Sequence, residues 1–448
     1  MRLRCEWAWL GGPQAQPDVL LEVDGDRIVG IDAGTAGAAG ESASDVERLP
    51  GLTIPGLVNA HSHAFHRALR SRTQAGTGSF WTWRDQMYRL AATLTPDSYQ
   101  CLATATFAEM ALAGITTVGE FHYLHHDRGG RSYDDANAMG HALVAAAAEA
   151  GVRMTLLDTC YLHGGIGRPP NEVQRRFSDG DAGRWAARAA AVAVGSTPTV
   201  KAGAAVHSVR AVAPEEMEIV GRWAEERDTP LHAHVSEQPA ENDDCTAAYG
   251  RTPVEVLGAA GLLGTRFTAV HATHLTATDV AALGGGYVCF CPTTERDLAD
   301  GIGPSAALVA AGADLCLGSD SHAVIDLFEE ARAVELDARL ATGVRGHDTA
   351  VDLLTAATSG GARSLGWPDA GHITAGALAD LSVVDVDGVR LAGAAPAHLV
   401  EAAVFAASAP DVRHVMVGGR WIVRDGAHVS VAVPASLAQA IDAVWAVP

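Results

Sequence analysis

Through the middle of the chain a short apolar run, a turn and an amphipathic or alanine-rich stretch follow one another repeatedly. Eight runs fit the pattern: Leu57 to His61, Ile115 to Phe121, Val152 to Leu157, Thr199 to Ala205, Pro230 to His234, Phe267 to His271, Tyr287 to Phe290, and Asp314 to Gly318. One intervening segment carries clear helix punctuation. Thr95 can cap it, Pro96 suits its first turn, Tyr99, Ala103, Phe107 and Met110 share a face, and Gly114 can end it. Eight strands each followed by a helix predict an α/β fold, the closed (β/α)8 TIM-type barrel, whose sites lie at the C-terminal ends of the strands. A doubly wound open sheet is the competing architecture, but no Gly-x-Gly-x-x-Gly turn follows a strand here.

The two ends of the chain read differently. Val19 to Val23, then Asp24-Gly25-Asp26, then Arg27 to Val29, predict two strands joined by a tight turn. Leu381 to Val384, Val412 to Val417, Gly418-Gly419 and Trp421 to Val423 repeat that grammar in the tail, so the ends are expected to pair as one small β domain.

At 448 residues the chain exceeds what one core usually fills, so two or three domains, or one large barrel with additions, are expected. With 48% hydrophobic and 19% charged residues it can bury a large core, and disorder is excluded. Lysine and arginine number 32 against 53 acids, a net charge of −21 that argues against a nucleic acid or an anionic membrane as partner. No apolar stretch approaches a bilayer span. The start, Met1 to Glu6, breaks off before any signal-peptide apolar region, so a cytoplasmic protein is expected. Seven cysteines without a Cys-x-x-Cys pair fit reduced thiols, and Cys289 and Cys291 fit core packing.

The densest chemical signal is Asn59-Ala60-His61-Ser62-His63, closing the first barrel strand. Alternation places His61 and His63 on one face of extended chain, where both can reach one ion at about 2.0–2.1 Å. Alone, such a pair is only suggestive, and a hydrogen-bonded structural pair is the commoner case. The fifth strand, however, ends in His232-Ala233-His234-Val235-Ser236-Glu237, the sixth in His271-Ala272-Thr273-His274, and the eighth in Ser319-Asp320-Ser321-His322. His61, His63, His234 and Asp320 then offer three imidazoles and a carboxylate at one rim, a set suited to zinc and also acceptable to iron, cobalt or manganese. His274 and His322 fit either ligand-orienting partners or solvated rim groups.

These segments, together with Ile54-Pro55-Gly56-Leu57-Val58 before them and Gly376-Ala377-Leu378-Ala379-Asp380-Leu381 near the C-terminus, resemble the amidohydrolase superfamily in its mononuclear deaminase branch, nearly end to end. Val206-His207-Ser208 stands where a two-metal hydrolase carries a carbamylated lysine, which favours one metal. The resemblance implies a barrel over residues 55–370 and a small β-sandwich built from residues 1–54 and 371–448.

Within that branch the chain is most similar to the N-formimino-L-glutamate deiminases, on Ala64 to Leu69, Phe80 to Arg84, Glu120 to His126, Ala205 to Arg210 and Cys291 to Asp297. The likeness implies that Arg84, Tyr123, His207 and Arg210 contact the glutamate portion of a small dianionic substrate, and that the enzyme is a homodimer. His66 stands where that family carries glutamine, and imidazole can donate a hydrogen bond in its place. A dianion entering an acidic protein needs local donors, and arginine grips a carboxylate bidentately.

The expected chemistry is hydrolysis of an amidine-like carbon with release of ammonia. Asp320 accepts the water proton, His271 orients water or stabilises charge, and Glu237 protonates or hydrogen-bonds the imino nitrogen. Phe80, Trp81 and Trp83 fit a lid, a subunit contact or packing beneath a loop. Two rivals stand: a deaminase of a cyclic amidine such as guanine or cytosine, which calls for aromatic stacking, and a metal-free scaffold barrel, which has no need of an intact ligand set.

Overall fold

The computed structural model describes residues 1–33, 46–192 and 198–446. The N-terminal strands are β1 (Arg2–Ala8), β2 (Gln16–Asp24), β3 (Arg27–Ala33) and β4 (Glu47–Pro55). The barrel strands are β5 (Leu57–Ser62), β6 (Ile115–His122), β7 (Arg153–Cys160), β8 (Val200–Val206), β9 (Leu231–Val235), β10 (Phe267–His271), β11 (Tyr287–Phe290) and β12 (Asp314–Leu317). The tail adds β13 (Leu381–Val384), β14 (Val412–Val417), β15 (Arg420–Arg424) and β16 (Ala427–His428).

Strands β5 to β12 pair in parallel and in chain order, as right-handed β-helix-β units require. All eight apolar runs of the sequence become these strands. The seam closes where β5 meets the end of β12: Asp320 N donates to His61 O at 3.0 Å, and His63 N donates to Asp320 O at 3.3 Å. Closure therefore happens at the proposed ion ligands themselves.

The helix predicted after the first strand spans Pro96–Leu112. Thr95 caps it through the Ser98 amide, its predicted face is buried, and Gly114 follows with φ +88°. The segment Phe80–Thr93 is also helical, opened by a Ser79 and Thr82 capping box, so Phe80, Trp81 and Trp83 sit on a helix N-terminus rather than on a free loop.

Both chain ends join in one mixed sheet of order β16-β15-β14-β13-β4-β1-β2-β3. The parallel β1–β4 pairing and the antiparallel β4–β13 pairing hold the two termini together. Leu3, Cys5, Val19, Leu21, Val23, Leu381, Val383 and Met416 gather in a hydrophobic cluster distinct from the barrel core. A buried ion pair ties the sheet to the base of the barrel: Arg153, opening β7, meets Asp380 at 2.6 and 3.1 Å.

A C-terminal helix, Val433–Trp445, lies outside the elements expected from the sequence, although Pro434 suits its first turn and Val433, Leu437, Ala440 and Val444 share its buried face. It packs on the helix Pro96–Leu112, and Trp445 Nε1 donates to Ala68 O at 2.9 Å. Among the described residues no helix is long and apolar enough to cross a membrane.

Candidate active site

The four proposed ligands converge. One ligand atom from each of His61, His63, His234 and Asp320 lies within 4.8 Å of the others, and all four residues are buried. His63 Nδ1 donates to Phe121 O at 3.0 Å and His234 Nδ1 to His207 O at 2.9 Å, so each leaves a bare Nε2 lone pair facing inward. His234 Nε2 stands 3.1 Å from His61 Nε2, and Asp320 Oδ1 stands 3.4 Å from His61 Nε2 and 3.3 Å from His63 Nε2.

A tetrahedron with bonds of about 2.0–2.1 Å has edges of about 3.3–3.4 Å, close to these separations. Inward lone pairs this close repel one another unless a cation lies between them. Burial keeps all three imidazoles neutral, the form that binds metal; it pushes His63 down to about 3, helped by the neighbouring His61, and lowers His61 and His234 as well. Burial opposes ionisation of Asp320, but the hydrogen bond from His61 and the cationic His271 beside it hold its carboxyl well below the usual range. The cluster fits one divalent metal ion.

His271 sits beside this cluster. Its Nε2 lies 3.9 Å from Asp320 Oδ2 and 3.8 Å from Glu237 Oε1 and has no hydrogen-bond partner. Burial disfavours its imidazolium, yet Glu237, Glu295 and Asp320 outweigh that and raise it to about 10. The strand ends that deliver these groups are strained: Ser236 (φ +51°), His271 (φ +68°), Ala272 (φ +48°) and Asp320 (φ +41°) adopt left-handed backbone, costing about 1–3 kcal/mol each. Such cost persists where surrounding contacts fix the geometry.

Beneath the ligands a hydrogen-bond chain clamps the seam. Asn59 Nδ2 donates to Ser319 Oγ at 2.7 Å, and Ser319 Oγ pairs with His322 Nδ1 at 2.9 Å. His322 Nε2 pairs with Ser62 Oγ at 3.2 Å, and Ser62 donates to Glu120 at 2.6 Å. His322 is thus buried in the barrel wall rather than solvated at the rim. His274, half-buried, ties its loop through a 2.7 Å bond to Asp300 O. Gly318 is required here, since a Cβ would fall 2.7 Å from His61 Cβ.

Above the cluster opens a cavity of about 390 Å³. His63, His234, Glu237 and Asp320 form part of its wall, and every residue expected to touch substrate lines it: His66, Arg84, Tyr123, His207 and Arg210. His66 Nε2 pairs with Tyr123 OH at 2.9 Å and its ring leans on His63 at 4.6 Å. The Arg84 guanidinium lies 4.4 Å from the Trp81 ring, and its Nε is buried without a partner.

Arg210 differs from the expectation of a free carboxylate grip. Its Nη2 meets Glu237 at 3.1 Å and its Nε meets Glu241 at 3.0 Å, so it already bridges two carboxylates. The sequence reading also missed Arg168, which lines the cavity and has no carboxylate partner among the described residues. Its signal was available, because Gly164-Gly165-Ile166-Gly167-Arg168 follows a barrel strand at its C-terminal end.

The amidohydrolase family profile matches residues 52–422. A formimidoylglutamate deiminase of Pseudomonas aeruginosa is 39% identical over 92% of this chain and 92% of its own length. An 8-oxoguanine deaminase of the same organism is 31% identical over 91% of this chain and 90% of its own length. The crystal structure of an adenosine deaminase from Xanthomonas campestris with bound zinc superposes with a TM-score of 0.85 at 26% identity, covering 100% of this chain and 98% of that one.

Proposed function

The chain belongs to the amidohydrolase family, and from that premise we propose that this metal-dependent hydrolytic deaminase acts on N-formimino-L-glutamate, giving N-formyl-L-glutamate and ammonia. The observation that carries the substrate is the pair Arg84 and Arg168: two arginines that line one cavity and have no carboxylate partner among the described residues, in a chain of net charge −21. Unpaired cations there favour an anionic ligand, and a glutamate skeleton brings two carboxylates. The 39% identical relative named for this reaction supports the same choice.

His61, His63, His234 and Asp320 would hold a divalent ion, which would supply Lewis-acid chemistry that lowers the pKa of a water toward about 7. Asp320 takes a proton from the attacking water through its Oδ2. His271 Nε2, 3.9 Å from that oxygen and 3.8 Å from Glu237 Oε1, lies between the two carboxylates that handle protons. Glu237, on the cavity wall, delivers one proton to the imino nitrogen as water adds; it then takes back the remaining hydroxyl proton while the proton held by Asp320 passes to the same nitrogen, so that the C–N bond breaks, ammonia departs and the formyl C=O forms. Arg210 holds Glu237 in place at 3.1 Å, and His66, Tyr123 and His207 present hydrogen-bonding groups to the substrate.

A second reading, deamination of a cyclic amidine, is favoured by the ring-faced wall made by Trp81, Trp83 and Tyr161 and by the relatives named for 8-oxoguanine and adenosine. Ammonia release from N-formimino-L-glutamate and from guanine, 8-oxoguanine, cytosine and adenosine, measured on one metal-loaded preparation, separates the two. Turnover of a ring alone refutes the primary reading. A cytoplasmic homodimer is a separate expectation, which light scattering of the purified protein and cell fractionation address.

A further inference from the structure

His271 is aimed by a second buried group. Its Nδ1 lies 3.2 Å from Glu295 Oε1, and the same carboxylate oxygen accepts the Cys291 amide at 2.8 Å. Both side chains are buried, with His271 at 0% and Glu295 at 4% exposure. The imidazole is held at its far nitrogen, and its other nitrogen, without a partner of its own, opens between Asp320 and Glu237. The backbone beneath it is strained, with φ +68° at His271 and +48° at Ala272. A ring on strained backbone has no local reason to choose this direction, so its orientation depends on what the Nδ1–H meets.

We propose that Glu295 is a positioning residue of the reaction: it receives the Nδ1–H of His271 and thereby makes Nε2 the nitrogen that serves the proton transfers between Asp320 and Glu237. The competing role is local, a carboxylate that only holds the Cys291 amide at the start of the short helix Pro292–Asp297. The two roles part on chemistry. Glutamine keeps an oxygen for the amide but loses the charge that orders the imidazole, whereas a helix-end role needs only the oxygen.

The proposal rests on the deaminase reading for its kinetic arm and on geometry alone for its spectroscopic arm. Glu295→Gln, His271→Asn and the double variant are compared with the wild type as metal-loaded full chains, on whichever amidine the wild type turns over. We expect Glu295→Gln to lower kcat by about 10- to 100-fold, with KM and bound metal within about twofold of the wild type. In the His271→Asn background the same change costs less than about twofold, because the residue acts through His271. Wild-type kcat in Glu295→Gln, or an equal loss in both backgrounds, overturns the proposal. NMR of histidine-labelled wild type is expected to show a strongly deshielded ring N–H resonance that disappears in His271→Asn. Its absence from the wild type refutes the hydrogen-bonded pair even if the Glu295 variant does not fold. A wild type that releases ammonia from no amidine defeats the deaminase reading instead and leaves the NMR result to decide the pair.

Discussion

Replacing Arg84 with glutamine separates substrate grip from catalysis. The guanidinium is stacked 4.4 Å from Trp81 and 5.6 Å from Tyr88 on the helix Phe80–Thr93, faces the cavity, and forms no ion pair among the described residues. Its side-chain freedom is already restricted, so a bidentate bond to an incoming carboxylate costs little ordering. A charge-assisted hydrogen bond of this kind contributes about 1.5–3 kcal/mol. At about 1.4 kcal/mol per factor of ten, Arg84→Gln should lower kcat/KM for N-formimino-L-glutamate by about 10- to 150-fold, mainly through KM. Arg84→Lys keeps charge but loses the fork, and should recover only part of the loss.

Arg210 sets the contrast. It is bound to Glu237 and Glu241, so Arg210→Gln strands two buried carboxylates and disturbs Glu237 itself, and its loss should fall mainly on kcat. The assay is steady-state ammonia release over a range of substrate, paired with a formimino compound that lacks both carboxylates. With that compound Arg84→Gln should equal the wild type. An unchanged KM for the dianion in Arg84→Gln, beside normal wild-type turnover, refutes the assignment of this arginine to a substrate carboxylate.

Glu237→Gln is expected to keep its metal, checked by elemental analysis, while turnover collapses by about 100-fold or more, as for loss of a general acid-base group. Stripping the ion with a chelator should lower the melting temperature, since binding at about a thousand times Kd stabilises the fold by about 4 kcal/mol; identical melts with and without metal would remove the proposed cluster from the account. Stability should also fall with acid through the buried imidazoles. His63 takes its proton at about 3 when folded against 6.5 for the free group, so below 6.5 the unfolded chain gains protons the folded one refuses. Urea midpoints from pH 7 to 4 test that slope.

Arg188→Met removes the cation that meets Asp158 at 2.8 Å and Asp179 at 2.9 Å and should cost about 3–5 kcal/mol at pH 7. In the wild type both carboxyls are depressed, so their stabilisation is present above the usual carboxylate range and lost in acid. In the variant they are stranded and raised, so the gap between the two proteins should narrow as pH falls toward 4. A gap constant with pH would mean that the loss is one of packing.

What the chain determined by itself is local and periodic. Apolar runs too short for helices, separated by helical stretches, announced eight barrel strands, because a strand buried on both faces needs continuous apolar residues whatever it pairs with. Histidine and aspartate types at four strand ends announced an ion site, because strand order places all C-terminal ends at one mouth. Thr95 and Pro96 announced a helix because capping is satisfied within a few residues.

Tertiary structure decided everything that depends on who meets whom across the chain. That Arg210 is already bound between Glu237 and Glu241 while Arg84 is not is a property of where helices and loops bring carboxylates, and no spacing rule reports it. Glu295 behind His271, His322 locked between Ser62 and Ser319, and the uncapped C-terminal helix seated on a barrel helix are likewise contacts between segments far apart in sequence. The physical reason is range: backbone propensity and side-chain alternation act over a few residues and can be read in order, whereas burial, ion pairing and the aim of an imidazole are set by neighbours that only the closed barrel supplies.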